Sequence, residues 1–141
     1  MKNKYSSDQM TNDFMVWCEK GLVEEIRSLL KFRDDLINQR SIQGWSPIII
    51  ASYNSQIDVV KLLLKKGADI NDTGDNGTSV LMYAKSAFVN DTIDDFNFLK
   101  YLLDNGAKVN QRDIHGRTVL EYINKERSKS LYTFLRANGA K

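Results

Sequence analysis

The chain of 141 residues contains one cysteine, one histidine and one proline. Because Cys18 is alone, neither an intramolecular disulfide nor a cysteine-based metal cluster can form. Such a lone cysteine beside apolar neighbours is typical of a small buried side chain. His115 is also alone, and no pattern brings a nucleophile and an acid toward it, so no catalytic dyad or triad is predicted. The expected location is a reducing cytoplasm.

Long apolar runs and one-sided charge are missing as well. No segment approaches the roughly 18 apolar residues of a membrane-spanning helix, and the lysines near the start are not followed by the apolar run of a signal peptide. The 20 basic and 18 acidic residues give a formal net charge of +2 and are mixed along the chain. Nucleic-acid binders usually gather basic residues into a patch. We therefore expect neither a membrane nor a nucleic-acid partner.

Motifs for catalysis, cofactors and metals are not found either. There is no phosphate loop, zinc-protease motif or nucleophile elbow, so we predict no cofactor, no catalytic residue and no enzyme activity. The segment from Asp69 to Gly77 begins like a calcium-binding loop, with oxygen-bearing side chains at short spacing. Its twelfth position should be a bidentate glutamate and is Val80. Metal binding is therefore not predicted, and these polar residues fit a turn.

What the chain does contain is an internal repeat. The segments KLLLKKGADIN, KYLLDNGAKVN and LYTFLRANGAK resemble one another, and they are preceded by a second series, GWSPIIIA, GTSVLMYA and GRTVLEYI. The glycines that open the second series, Gly44, Gly77 and Gly116, are 33 and 39 residues apart. The larger spacing indicates an insertion of six residues in the third of four units. A weaker first unit precedes Gly44.

Local signals predict two helices in each unit. Ser46 and Pro47 suit the N-cap and the first position of a helix, Ser55 can cap the next one, and Thr118 with Glu121 forms a capping box. The predicted helix pairs are 7–20 with 22–32, 46–54 with 56–66, 79–87 with 95–104, and 118–126 with 128–137.

The period and the order of these signals resemble the ankyrin repeat, a turn followed by two antiparallel helices. The resemblance implies an all-α solenoid of one domain, in which stacked units share a continuous core. The chain is similar to small stand-alone ankyrin arrays of bacterial type, and such arrays are usually monomeric. Trp17 stands where the central units have a small alanine, and we expect it to close the first end of the core. The predicted units are 7–38, 41–71, 74–110 and 113–141.

Ankyrin repeats are in general protein-binding modules, so the resemblance implies a protein partner held on a concave face of turn tips and first helices. Trp45 and Tyr53 are the predicted anchors, with Arg112 and Arg117 adding polar contacts, because Trp, Tyr and Arg dominate interface hot spots. The alternative is that Trp45 covers its own turn and only stiffens it. The predicted partner-binding residues are Arg40, Gln43, Trp45, Tyr53, Asp75, Asn76, Thr78, Arg112, His115 and Arg117.

About four units with one aromatic face favour a single-partner inhibitor or immunity-type protein. The alternatives are an adaptor or secreted effector that bridges two proteins and, as the least favoured class, an enzyme subunit. The insertion around residues 86–98 carries Phe88, Phe96 and Phe98. We expect these rings to fold back over the lengthened helix ends, the alternative being a loop that protrudes toward a partner.

Overall fold

Each segment with a broad apolar face is helical in the computed structural model, which describes residues 8–88 and 95–141. These ranges contain no β-strand. They include three short 3₁₀ helices, Asp34–Asn38, Lys85–Phe88 and Val119–Tyr122. The all-α solenoid predicted from the sequence is confirmed. Within the described residues there are seven α-helices: α1 Gln9–Lys20, α2 Val23–Leu30, α3 Pro47–Tyr53, α4 Ile57–Lys65, α5 Val80–Ala84, α6 Asn97–Asp104 and α7 Lys129–Ala137.

The helices stack in two rows around one core. The first helices α1, α3 and α5 pack side by side, and α2 packs on α4 in the second row. Buried side chains continue from Phe14 in α1 through Ile49 and Leu63 to Leu99 and Leu135 at the other end. Each such apolar side chain stabilises the fold by about 1.5–3 kcal/mol when it is fully buried, so stacking supplies what a single short helix pair lacks.

The turns that precede each first helix repeat one hydrogen-bond pattern. In the turn before α3, the Ser41 amide donates to the Trp45 carbonyl oxygen, and the Gly44 amide donates to the Ser41 carbonyl oxygen, both at 2.9 Å. The same two bonds recur in residues 74–78 and 113–117. The three turn tips therefore point the same way and form the edge of one face.

Gly77 allows neighbouring turns to touch. Its φ of 77° lies in the left-handed region, and a Cβ added there would lie 2.9 Å from the Ile114 backbone nitrogen. Beside it, the Ile114 amide donates to the Asn76 carbonyl oxygen at 3.0 Å. A side chain at this glycine would push the third and fourth turns apart.

Two asparagines join successive units through their side chains. Asn71 donates to the Gly106 carbonyl oxygen at 3.1 Å and accepts from the Lys108 amide at 2.9 Å. Asn110 makes the same pair of bonds to residues 139 and 141, both at 3.0 Å. These bridges fix the spacing between the second-helix ends of adjacent units.

The predicted helix 118–126 is wrong, because only the 3₁₀ turn Val119–Tyr122 forms there. The predicted capping box is absent, and the buried Thr118 hydroxyl has no hydrogen-bond partner. The Asn124 side chain instead accepts from the amides of Glu126 and Arg127. Such side-chain bonds to nearby amides compete with helix formation, so the chain turns before a second helical turn is complete.

Two other predicted caps behave differently. Ser46 does stand at the N-cap with Pro47 at the first helical position, but its hydroxyl donates to the Asp72 carboxylate instead of capping α3. Ser55 does not cap α4, whose N-cap residue is Gln56. The Ser55 backbone has a φ of 55°, and its buried hydroxyl has no hydrogen-bond partner.

Aromatic side chains pack at the two described ends of the insertion. Phe88 and Phe98 are buried, and the Phe96 ring lies 5.7 Å from that of Phe88 and 4.9 Å from that of Phe134. The expectation that these rings fold back is confirmed, while residues 1–7 and 89–94, including the middle of the insertion, lie outside the described residues. Trp17 is half-buried against the core, as expected of a residue that closes the first end.

Candidate functional site

The turn tips and first helices form a groove with two adjoining hollows. The first, which we call the apolar hollow, has a volume of about 590 Å³ and lies between α1, α3 and the turn 41–45. The second, the charged hollow, has a volume of about 290 Å³ and lies between α5 and the turns 74–78 and 113–117. Tyr53 lines both hollows, so the two form one continuous surface.

An aromatic cluster of Trp45, Tyr53 and Tyr83 separates the hollows. The Trp45 ring centre lies 5.5 Å from that of Tyr53 and 5.1 Å from that of Tyr83, and the two tyrosines are 6.3 Å apart. Aromatic pairs at these separations contribute about 0.5–1.5 kcal/mol each beyond their buried area. Trp45 thus spans two units and does more than cover its own turn, and Tyr53 remains 46% exposed at the groove surface.

Tyr83 was not among the residues predicted from the sequence. Its hydroxyl reaches over Gly74, where a Cβ would lie only 2.7 Å away, and it interacts with the side chains of Thr78 and Trp45. Burial raises the pKa of the Tyr83 phenol. The signal that could have revealed Tyr83 is its register, since Tyr122 also follows its turn glycine by six residues.

Two cations approach one tyrosine ring in the charged hollow. The Lys85 ammonium lies 5.8 Å and the Arg117 guanidinium 5.7 Å from the centre of the Tyr122 ring. The Tyr122 hydroxyl donates to the Asp113 carboxylate. This bond lowers the pKa of Asp113 and raises that of Tyr122.

Lys85 is half-buried, and the loss of hydration lowers the pKa of its ammonium. Among the described residues, no carboxylate lies within 4.0 Å of this ammonium. The charged hollow therefore presents a partly dehydrated cation that, within the part of the chain that the structure describes, is near an aromatic ring and has no carboxylate partner.

Arg40, a predicted contact, is used inside the fold. Its guanidinium donates to the Asp72 carboxylate at 2.6 Å and to the carbonyl oxygens of Gly44 and Thr73 at 2.9 and 3.1 Å. Arg112 occupies the same position in the fourth unit, donates to the Gly116 carbonyl oxygen at 2.6 Å and is more exposed.

The other predicted residues divide between the hollows and the turn tips. Gln43 lines the apolar hollow, and Asn76, Thr78 and His115 line the charged hollow. Asp75 is exposed on the third turn tip and lines neither hollow.

The acids and the thiol that could serve chemistry have structural roles. Burial raises the pKa of the Cys18 thiol, so no reactive thiolate forms. Asp69 accepts from the Asn71 amide and Asp72 holds Arg40. Within residues 8–88 and 95–141, no three His, Cys, Asp or Glu side chains are grouped to share a metal ion, and no helix combines the length and apolar character needed to cross a bilayer.

Comparison with known proteins identifies the repeat. The family model described as "Ankyrin repeats (3 copies)" matches residues 6–74. The chain is 30% identical over 131 residues to a mitochondrial disaggregase of Bos taurus, covering 71% of this chain and 19% of that protein. It is 32% identical over 69 residues to ankyrin repeat domain-containing protein 49 of Drosophila melanogaster, covering 48% and 31% of the two chains.

A third relative is protein phosphatase 1 regulatory subunit 27 of Homo sapiens, 37% identical over 57 residues, which are 40% of this chain and 36% of that protein. The chain thus spans between about a fifth and about a third of the length of these relatives. The presence of ankyrin repeats supports a role in protein–protein interaction, and members of this family are typically non-enzymatic. By its repeated turns, its stacked helix pairs and these similarities, the chain belongs to the ankyrin-repeat proteins.

Proposed function

We propose that the chain is a non-enzymatic binding module that holds one protein partner in the groove and acts as an inhibitor or immunity-type protein. It acts as a monomer in the cytoplasm. The residues that contact the partner are those of the two hollows and their rims, with Trp45 and Tyr53 as anchors and Arg117 as a polar contact.

The observation that carries this proposal is the aromatic cluster between the two hollows. Ile42 and Tyr53 remain 61% and 46% exposed although they flank a concave apolar surface. Exposed apolar surface that surrounds a cavity is a common mark of a protein interaction site. Tyr and Trp also provide large contact areas with few rotatable bonds, so ordering them on binding costs little entropy.

The inhibitor-type role draws support from one relative. The human relative is named as a regulatory subunit of a protein phosphatase, and this name describes a protein that acts on an enzyme. The groove is a single surface on one side of the first-helix row, which suits one partner better than two.

Affinity capture from a lysate of the source organism, with quantitative mass spectrometry, tests the proposal. The tagged wild-type chain is compared with Tyr53→Ala and with Lys66→Ala, an exposed position after α4 that lines neither hollow. We expect one stoichiometric protein with wild type and Lys66→Ala, and its loss by tenfold or more with Tyr53→Ala, as for a hot-spot residue.

Equal recovery by all three proteins would contradict binding in the groove. Recovery of two unrelated proteins would favour an adaptor over an inhibitor. Circular dichroism of Tyr53→Ala establishes that the variant is folded, which its exposed position leads us to expect.

A further inference from the structure

We propose that the groove recognises a peptide segment with a bulky apolar side chain and, a few residues away, an aspartate or glutamate. The apolar side chain enters the apolar hollow, and the carboxylate pairs with Lys85 in the charged hollow and with Arg117 beside it. This assignment of partner chemistry rests on the proposed function and adds the class of sequence that is bound.

The walls of the apolar hollow argue for the first half of this motif. Met15, Val16, Ile42 and Ile50 form an aliphatic surface that Trp45 closes on one side. Val16 and Ile42 are 42% and 61% exposed, so an inserted side chain would remove apolar surface of both partners from water. The volume of about 590 Å³ accommodates a Leu, Met, Phe or Trp side chain.

The charges of the second hollow argue for the second half. Lys85 is half-buried and has no carboxylate within 4.0 Å among the described residues, and the Arg117 guanidinium lies 5.7 Å from the centre of the same Tyr122 ring that Lys85 approaches. The acid that lines this hollow, Asp113, accepts hydrogen bonds from the Tyr122 hydroxyl and from the backbone amides of His115 and Arg117. An incoming carboxylate would restore the interactions that Lys85 lost on burial.

The shared tyrosine sets the spacing of the motif. Tyr53 borders both hollows, and the rings of Trp45, Tyr53 and Tyr83 form a triangle between them with centres 5.1–6.3 Å apart. An extended peptide advances about 3.3 Å per residue. The acidic residue therefore follows or precedes the apolar one by about two to four positions.

A peptide suits this surface better than a nucleic acid. The apolar hollow has aliphatic walls and no lysine or arginine in its lining, so it offers a phosphate backbone no cation. The charged hollow contributes only the cations around Tyr122, whereas nucleic-acid sites track the backbone with an extended basic surface.

Selection of random dodecapeptides displayed on phage, panned on the full chain, tests the motif directly. We expect enriched peptides to share a Leu, Met, Phe or Trp and an Asp or Glu two to four positions apart. Enrichment of peptides without an acidic residue, or failure to enrich any peptide, would overturn the proposal.

Calorimetry with an enriched peptide and its Asp→Asn or Glu→Gln form then tests the role of Lys85. We expect wild type to prefer the acidic peptide by about tenfold, in the range of close interfacial charge pairs. Lys85→Met should bring this preference near one, Lys85→Arg should retain most of it, and the remote control Lys66→Met should leave it unchanged. A preference of the same size in Lys85→Met would overturn the assignment.

Two further outcomes separate this inference from the proposed function. If the captured protein depends on Tyr53 but not on Lys85, the acidic motif is wrong and the groove remains the binding site. If it depends on neither residue, both proposals fail. Binding of an oligothymidylate that Lys85→Met abolishes would assign the charged hollow to phosphate groups and would also overturn the peptide motif.

Discussion

Arg40 and Arg112 occupy the same position in two units but differ in what they hold. Both donate to the carbonyl oxygen of the turn glycine four residues later. Arg40 also binds Asp72 in the next unit, with side-chain exposures of 30% and 19% for the pair. Arg112 has a long contact of 3.8 Å with Glu121, and its side chain is 64% exposed. Comparing the two arginines therefore tests how much burial of the ion pair adds to the free energy of unfolding.

Replacing Arg40 with alanine should destabilise the fold more than the same change at Arg112. A hydrogen bond to a charged group contributes about 1.5–3 kcal/mol, and the partly buried Asp72 carboxylate would keep the Ser46 hydroxyl as a donor but lose its cation. We expect Arg40→Ala to lower the free energy of unfolding by about 2–3 kcal/mol and Arg112→Ala by less than about 1 kcal/mol. Urea denaturation measures both, and equal losses would show that the Asp72 bond contributes little.

The same residues show what sequence reasoning could and could not reach. The position of Arg40 on a turn beside Trp45 followed from the repeat, but its partner Asp72 lies 32 residues away and is not identified by any local pattern. Tyr83 was missed for a related reason. Which side of a short helix faces the groove depends on how the neighbouring turn packs, and here Gly74 leaves room for its hydroxyl.

At the scale of elements, the contact between neighbouring turns makes Gly77 more demanding than Gly116. Both have left-handed backbones, with φ of 77° and 73°. A Cβ at Gly77 would meet the next turn at 2.9 Å, whereas a Cβ at Gly116 would have no neighbour within 4 Å.

Gly77→Ala should therefore cost more stability than Gly116→Ala. The left-handed backbone alone should cost each variant about 1–2 kcal/mol, and overpacking should add about 1–3 kcal/mol at Gly77. Thermal unfolding followed by calorimetry gives the difference. Equal losses would mean that the third and fourth turns separate freely.

Helix positions were predictable where an apolar face and a stop signal coincide, as in α4 and α6, because both are properties of a short window. The first helix of the fourth unit was not predictable in this way. Thr118 and Glu121 have the spacing of a capping box, but Asn124 captures two amides and ends the helix after one turn. Whether the capping box or the Asn124 hydrogen bonds form depends on packing against residues outside this short stretch of sequence.

For the whole molecule, stacking implies that stability is distributed from unit to unit. In such arrays each unit is held by its own packing and by its immediate neighbours. The fourth unit has only a 3₁₀ turn in place of a first helix, so we expect it to be the least stable of the four. The two tryptophans, Trp17 and Trp45, lie in the first two units and report on the opposite end.

Leu131→Ala in α7 should separate the unfolding transitions followed by circular dichroism and by tryptophan fluorescence, which otherwise coincide. Leu131 is fully buried, and truncation of such a leucine costs about 2–5 kcal/mol. In a urea titration we expect circular dichroism to fall before tryptophan fluorescence changes, because the last unit unfolds first.

Leu63→Ala is the control, since Leu63 is equally buried but lies in α4 of the second unit. Its two transitions should move together to lower urea. Coincident transitions in Leu131→Ala would show that the array unfolds as one cooperative body.

The asparagine bridges bear on how a chain of this kind can change in length over evolution. Asn71 and Asn110 make the same two bonds to the unit that follows, so the joint does not depend on which unit comes next. Duplication or loss of the coding segment for one whole unit would recreate the joint each time. Recombination within a unit would instead strand an asparagine opposite the wrong backbone groups. Growth and shortening by whole units is therefore the genetic change that this backbone tolerates best.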